Sequence, residues 1–314
     1  MNTQSNAGPG SPLDSQAIAP TAMSEIRPMY WSIRRELWEN RSIYIAPLAV
    51  AVVVMVGFLI SLIYLPKSVR ALPVLDPAHQ RVDLAAPYSH AAWLIVITGL
   101  IVGVFYSLDA LYGERRDRSI LFWKSLPVSD LTTVLSKASI PLLVLPLLVF
   151  AIAVTLQLIM LLLSIAVLAV SGVGTAMPWV PPLFQMEVVL LYGLTVLALW
   201  HAPIYCWLLL VSGWARRAPF LWAVLPPLAV AALEYIAFHT SHLCSLLKHL
   251  LFGFAAAAFD FTSQGKGLVD PHFIPLARLT PGRFLSSPGL WIGLIVAAAL
   301  LAAAVRLRRY QSPI

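Results

Sequence analysis

The chain has 314 residues, of which 60% are hydrophobic and only 11% are charged, and its mean hydropathy is +0.83. Soluble domains are about 45–50% apolar and about 25% charged, so this composition excludes an ordinary water-soluble protein. The net charge of +7 comes from basic residues scattered at the ends of apolar runs, which excludes the concentrated basic stripe of a nucleic-acid-binding protein. A membrane span takes about 20 residues, so six or seven spans would leave no room for an ordinary catalytic domain.

The first 42 residues divide into two parts of different composition. Residues 1–24 are rich in Ser, Pro, Gly and Asn and contain neither a basic residue nor an apolar core. We therefore expect a disordered cytoplasmic tail rather than a signal peptide. Residues 25–42 are predicted to form an amphipathic helix in the membrane interface, or alternatively an ordinary helix packed on a partner. Its apolar positions are Ile26, Tyr30, Ile33 and Leu37, flanked by Trp31 and Trp38.

The rest of the chain, residues 43–309, is predicted to be an all-α transmembrane domain with six spans. The predicted spans are residues 43–65, 91–112, 138–170, 184–211, 218–238 and 288–305. Pro141 and Pro146 are expected to kink the third span, and Pro226 with Pro227 to break the fifth. A further apolar run, 243–259, contains Lys248 and His249, so we expect a re-entrant or surface-lying helix on the outer side.

The distribution of basic residues predicts how these spans are oriented. With six spans, the side that holds both chain ends carries 14 Lys and Arg residues, and the other side carries 7. The richer side is expected to be cytoplasmic, which places both termini, including the tail 310–314, in the cytoplasm. A seven-span arrangement would export the basic C-terminal end and is therefore disfavoured.

The connection between the second and third spans is the most charged stretch of the chain. It contains five consecutive charged residues, from Glu114 to Arg118, followed by the apolar residues 120–123. Ser129 and Asp130 are well placed to cap the next helix. The pattern predicts a short amphipathic helix on the cytoplasmic face, held between two spans.

At these residues the chain resembles the permease subunits of ABC-2 type transporters, the bacterial exporter class of ATP-binding-cassette systems. The matching features are Glu114-Arg115, Ser119-Ile120-Leu121, Ser125-Leu126-Pro127-Val128-Ser129 and Ser136-Lys137. The family's layout of an interfacial helix, six spans and short outer helices before the last span is also similar. Arg116-Asp117-Arg118 departs from the family, where many members have a Glu and a Gly-Thr pair.

This resemblance implies a permease of the bacterial inner membrane that forms a translocation path and works with a separate ATPase. The chain would bind no cofactor itself, because ATP and Mg²⁺ belong to the partner, and it would pair with a second copy or a homologous permease. The chain contains no GxxxxGK[ST] motif. The residues expected to contact the ATPase are Glu114, Arg115, Asp117, Arg118 and Phe122. The alternative is that this charged stretch only anchors a helix end to lipid phosphates.

Polar residues inside the apolar runs are further candidates, because polar groups are costly in lipid. Gln157, His201 and Pro203 are the candidates for a translocation path, although a histidine that is simply hydrogen-bonded within the core is an alternative. Gly99 and Gly103 form a GxxxG pattern that favours close helix packing, within the subunit or between two copies. No metal site is predicted, since His239, His242, Cys244 and His249 lack a completing acidic residue or second cysteine.

Two other functions remain open from the sequence. A secondary transporter would need no ATPase, but such proteins usually contain repeated halves and intramembrane ion ligands, and no convincing repeat is found. A membrane-embedded enzyme would need a catalytic motif such as HExxH or GxSxG, and the sequence contains neither. The transported substrate is not determined by the sequence.

Overall fold

A computed structural model describes residues 26–71, 77–119, 128–172, 182–260 and 276–310. The predicted tail 1–24, residues 311–314 of the predicted tail 310–314, and the apolar residues 120–123 lie outside them, whereas Tyr310 ends the last helix. The helices before the third span are α1 (Ile26–Glu39), α2 (Ser42–Ser61), α3 (Leu65–Ala71), α4 (Pro77–Asp109) and α5 (Tyr112–Arg116). The following helices are α6 (Asp130–Ser139), α7 (Leu145–Val170), α8 (Leu183–Trp200), α9 (Ala202–Trp214), α10 (Pro219–Phe238), α11 (His242–Ala258), α12 (Pro281–Leu285) and α13 (Pro288–Tyr310).

The described residues form an all-α protein with six helical segments long and apolar enough to cross a membrane. These segments are Ser42–Ser61, Val82–Arg116, Asp130–Val170, Leu183–Trp200, Pro219–Phe238 and Pro288–Tyr310. The predicted multi-pass membrane architecture is therefore confirmed. The fourth segment ends earlier than predicted, because the helix breaks at His201 and α9 begins with Pro203 in its first turn. Proline is favoured at this position because its missing N–H has no partner there in any case.

The other prolines have different effects in the third and fifth spans. Residues Ile140–Val144 form a π-helical segment between α6 and α7, where the kink was expected. The expected break at Pro226 and Pro227 is wrong, since α10 is continuous through both. Pro227 cannot donate to the carbonyl of Ala223, but the indole Nε1 of Trp207 donates to it at 3.2 Å. An outside donor thus replaces the missing helical hydrogen bond.

The core lies where α4 passes between other spans. Helices α2, α4 and α7 pack against one another, and α9 packs against both α4 and α13. The GxxxG pattern of α4 is used within the subunit. A Cβ atom at Gly99 would lie 2.6 Å from Val149 Cγ2, and one at Gly103 would lie 3.1 Å from the Tyr205 ring. A side chain at Gly99 would force Val149 to move and one at Gly103 would crowd Tyr205, so both glycines favour this close approach.

The outer surface of the bundle is rich in large exposed apolar side chains, as a lipid-facing surface requires. In α10 only Ala223 is buried. Helix α1 is amphipathic: Ile33 and Leu37 pack against the core, whereas Trp31 and Trp38 are exposed. The guanidinium of Arg34 lies 5.2 and 4.8 Å from the ring centroids of these two tryptophans. The location of α1 in a membrane interface stays a prediction.

Helix α11 occupies the region predicted to be re-entrant or surface-lying. Its N-terminus is capped by Glu234 of α10, whose carboxylate accepts hydrogen bonds from the amides of His242 and Leu243, both at 2.8 Å. A carboxylate suits this position because a helix begins with unpaired amides and a positive dipole end. The indole of Trp200 donates to the carbonyl of Leu250 at 3.0 Å, which fixes α11 beside the junction of α8 and α9.

Candidate functional site

The connection after the second span begins with α5, whose charged residues Glu114 and Arg115 both face inward. Only 7% of Glu114 and 6% of Arg115 is exposed. The sequence placed both on a surface that contacts an ATPase, and the structure instead gives each of them partners within the subunit. A direct contact by these two side chains does not fit their burial.

Glu114 belongs to a group of buried and partly buried charges that we call the ion cluster. Its members are Arg35 and Glu36 of α1, Glu114 of α5, Asp130 and Lys137 of α6, and Arg308 of α13. Lys137 Nζ lies 2.8 Å from Glu36 Oε1 and 3.1 Å from Glu114 Oε1. Arg308 donates to Glu114 Oε2 at 2.6 Å and to Asp130 Oδ1 at 3.1 Å. The cluster therefore joins the N-terminal helix, the base of the connection and the last span at one end of the bundle.

The formal charges of these six residues cancel, since three carboxylates face three cations, and the half-exposed Glu39 pairs with Arg35 at 3.4 Å at the edge of the cluster. Balance matters because Glu36 and Lys137 are only 1% and 2% exposed, and an unpaired buried charge costs several kcal/mol. The hydroxyl of Tyr106 donates to the second carboxylate oxygen of Glu36 at 2.8 Å. At the edge of the cluster, partial burial raises the pKa of Glu39, and the guanidinium of Arg35 opposes this effect.

Arg115 fixes the other side of α5. Its Nη1 donates to the carbonyls of Gly213, at 2.6 Å, and Ala215, at 3.2 Å, where α9 ends. A cation suits this end because the last carbonyls of a helix have no partners within it. The hydroxyl of Ser212 accepts hydrogen bonds from the amides of residues 111 and 112, at 3.0 and 2.9 Å. The start of the connection is thus held from two directions by side chains.

Asp117 and Arg118 are the two predicted contact residues that the structure leaves exposed. Asp117 accepts a hydrogen bond from its neighbour Arg116 at 3.0 Å, and both side chains are more than half exposed. Arg118 has a φ of +58°, a left-handed conformation that residues other than glycine rarely adopt. Phe122 lies outside the described residues. The docking role of Asp117, Arg118 and Phe122 stays a prediction.

The helix after this connection begins as the sequence predicted. The hydroxyl of Ser129 accepts a hydrogen bond from the amide of Thr132 at 3.0 Å, which confirms it as the N-cap of α6. Asp130 stands in the first turn and also binds Arg308 of the last span. The two ends of the connection, α5 and α6, are therefore both attached to α13.

Sequence reasoning did not select Arg35, Glu36, Lys137 or Arg308 as site residues. One signal was present for Glu36, because it follows Ile33 by three residues and precedes Leu37, which places an acidic residue on the apolar face of α1. Lys137 directly precedes an apolar run, where a lysine usually extends to the headgroups. Its burial depends on carboxylates that are distant in sequence.

The structure does not bring the three candidates for a translocation path into one cavity. Gln157 lines a cavity of about 130 Å³ between α4, α7, α8 and α11, and neither His201 nor Pro203 lines it. The two ring nitrogens of His201 lie 3.0 and 3.3 Å from the carbonyls of Leu197 and Leu251. A neutral imidazole carries one N–H, so His201 donates to one of these carbonyls at a time. Its contacts are therefore those of a histidine hydrogen-bonded within the subunit, which is the alternative to a role in a path.

Among the described residues, no group of three His, Cys, Asp or Glu side chains is arranged to hold a metal ion. No protein-family model, curated protein or solved structure matches the chain.

Proposed function

We propose that this chain is the permease subunit of an ATP-binding-cassette exporter, which forms the translocation path and couples to a separate ATPase through residues 113–130. The observation that carries the proposal is the attachment of this connection to the bundle. A segment that transmits movement from a soluble partner must be rigidly joined to the helices that it moves. The ion cluster and the contacts of Arg115 supply such a joint.

The exposed charges provide the proposed docking surface. Asp117 and Arg118 lie directly after the fixed turn of α5, and residues 120–123 follow them in sequence with apolar side chains. Exposed charges orient two proteins as they meet, and apolar residues supply the area that is buried once they have docked. In this proposal, Glu114 and Arg115 act as positioning residues beneath that surface.

The proposed path forms between two permease subunits, either two copies or one copy and a homologous chain. The cavity between α4, α7, α8 and α11 has a volume of about 130 Å³. Sites that enclose drug-sized molecules measure roughly 300–1,000 Å³, so this cavity does not serve as a path for such substrates. A wider passage would need helices from a second subunit.

The experiment that tests this proposal is co-purification of the tagged chain with a co-expressed cassette ATPase. Arg118→Glu and Asp117→Lys are expected to abolish co-purification while the amount of protein in the membrane is unchanged. Lys248→Glu reverses an exposed charge on α11 and serves as the matched control, which should retain the ATPase. Unchanged co-purification by both docking variants would refute the coupling assignment. Failure of the unmodified chain to retain any ATPase would favour a secondary transporter.

A further inference from the structure

The cavity between α4, α7, α8 and α11 has the features of a small binding site that the proposed function does not use. Its wall is almost entirely apolar: α4, α8 and α11 supply aromatic and aliphatic side chains, among them Trp93, Met186, Leu194 and Phe254, and α7 supplies Gln157. A cavity of this volume, about 130 Å³, is similar in size to apolar cavities that stay free of water and accept a single aromatic ring.

Gln157 provides a hydrogen-bonding group without a partner in this apolar wall. Its side chain is 1% exposed, and its Nε2 donates to the carbonyl of Tyr88 at 3.0 Å. This bond fixes the orientation of the amide, since the opposite orientation would place two acceptors against each other. Within the described part of the chain, Gln157 Oε1 is buried and has no hydrogen-bond partner. Less than 1 Å² of this oxygen is accessible, so the amide must shift towards the cavity before a ligand can donate to it. A buried carbonyl without a partner is unfavourable, and a ligand donor would stabilise it.

Apart from the indole of Trp93, the other polar side chain in the described lining, Ser89, also favours a ligand that donates. The hydroxyl of Ser89 gives its proton to the carbonyl of Ala85 at 2.8 Å and keeps only acceptor capacity. No charged side chain is among the described residues that line the cavity. The site therefore selects against ions and favours a neutral molecule with one O–H or N–H group.

We propose that this cavity binds a neutral apolar molecule, or the end of a larger one, of about the size of one aromatic ring and with a single hydrogen-bond donor that Gln157 Oε1 accepts. In this proposal, Gln157 Oε1 orients the bound molecule and the apolar wall supplies the affinity for it. The inference goes beyond the proposed function and does not depend on an ATPase.

The test uses the full chain in lipid nanodiscs with two probes of similar shape, 4-fluorophenol and 4-fluorotoluene, observed by fluorine NMR. The amount of probe dissolved in lipid rises linearly with probe concentration, whereas binding to the cavity saturates. The saturable part of the fluorine signal therefore measures binding to the site. We expect 4-fluorophenol to bind on the order of fivefold more tightly than 4-fluorotoluene, as one net hydrogen bond allows. Gln157→Leu should remove this preference and still bind 4-fluorotoluene, which would also show that the cavity is intact.

A second variant tests the location of the bound probe. Gly193 lines the cavity and has open space where a Cβ atom would lie, so Gly193→Leu should fill the cavity and abolish saturable binding of both probes. Gly57 has equally open space but stands exposed on α2, and Gly57→Leu should leave binding unchanged. The proposal is overturned if the unmodified chain shows no saturable binding, which is the result expected for a cavity filled with water. It is also overturned if Gly193→Leu binds normally or if Gln157→Leu retains the preference for the phenol.

Discussion

Replacing Lys137 with methionine removes the cation that lies between two buried carboxylates. The substitution keeps an unbranched side chain of similar length but leaves Glu36 and Glu114 without their shared ammonium group, 2.8 and 3.1 Å from their oxygens. The ion cluster would then hold three carboxylates and two cations. Because Glu36 and Glu114 are 1% and 7% exposed, water cannot replace the missing charge without local opening.

Breaking a buried ion pair by removing one partner costs about 3–5 kcal/mol. Arg35 Nη2 remains within 3.0 Å of both carboxylates, so we expect Lys137→Met to lower the free energy of unfolding by about 3 kcal/mol, at the lower end of that range. Glu36→Gln in the same chain restores equal numbers of charges and keeps an acceptor for Tyr106. The double variant should therefore be destabilised less than the sum of the two single variants, by roughly 1–3 kcal/mol.

The assay is reversible unfolding of the purified chain in bicelles, for example by steric trapping, with the four proteins of the double-mutant cycle compared. Arg116→Gln is the control, because Arg116 pairs with Asp117 at an exposed position and surface pairs contribute about 0–1 kcal/mol. Additive effects of Glu36→Gln and Lys137→Met would refute the reasoning. A Lys137→Met variant as stable as the unmodified chain would do the same.

Two other predictions concern packing and capping. Gly99→Val places its Cβ atom 2.6 Å from Val149 Cγ2 and should destabilise the chain by about 1–3 kcal/mol in thermal unfolding, whereas Gly57→Val on the exposed face should unfold like the original. Equal stability of the two variants would contradict the close approach of α4 and α7. Glu234→Ala removes the acceptor of the Leu243 amide, so hydrogen exchange at the start of α11 should accelerate, and unchanged exchange there would show that the cap is unimportant.

The spans could be predicted from the sequence because about 20 apolar residues in succession have few alternatives to crossing a bilayer. The cap at Ser129 was predictable for a similar reason, since it depends only on residues within one turn. The continuity of α10 through Pro227 could not be predicted. The donor that replaces its missing N–H belongs to Trp207, on the preceding helix.

The direction of the Glu114 side chain depends on even more distant residues. Its partners Arg35 and Arg308 are 79 and 194 positions away in the chain, so no local pattern could show that this carboxylate faces inward. A run of five charged residues suggests an exposed surface, and Asp117 and Arg118 fit that expectation. The same run in fact contains both the exposed charges and the joint that holds them.

The measurement that tests the central proposal most directly is ATP turnover by a separately purified cassette ATPase, measured alone, with this chain in nanodiscs, and with its Arg118→Glu variant in nanodiscs. The proposed coupling predicts that the unmodified chain changes the turnover rate severalfold and that the variant does not. Equal turnover in all three samples would contradict the assignment of this chain as the permease of that ATPase.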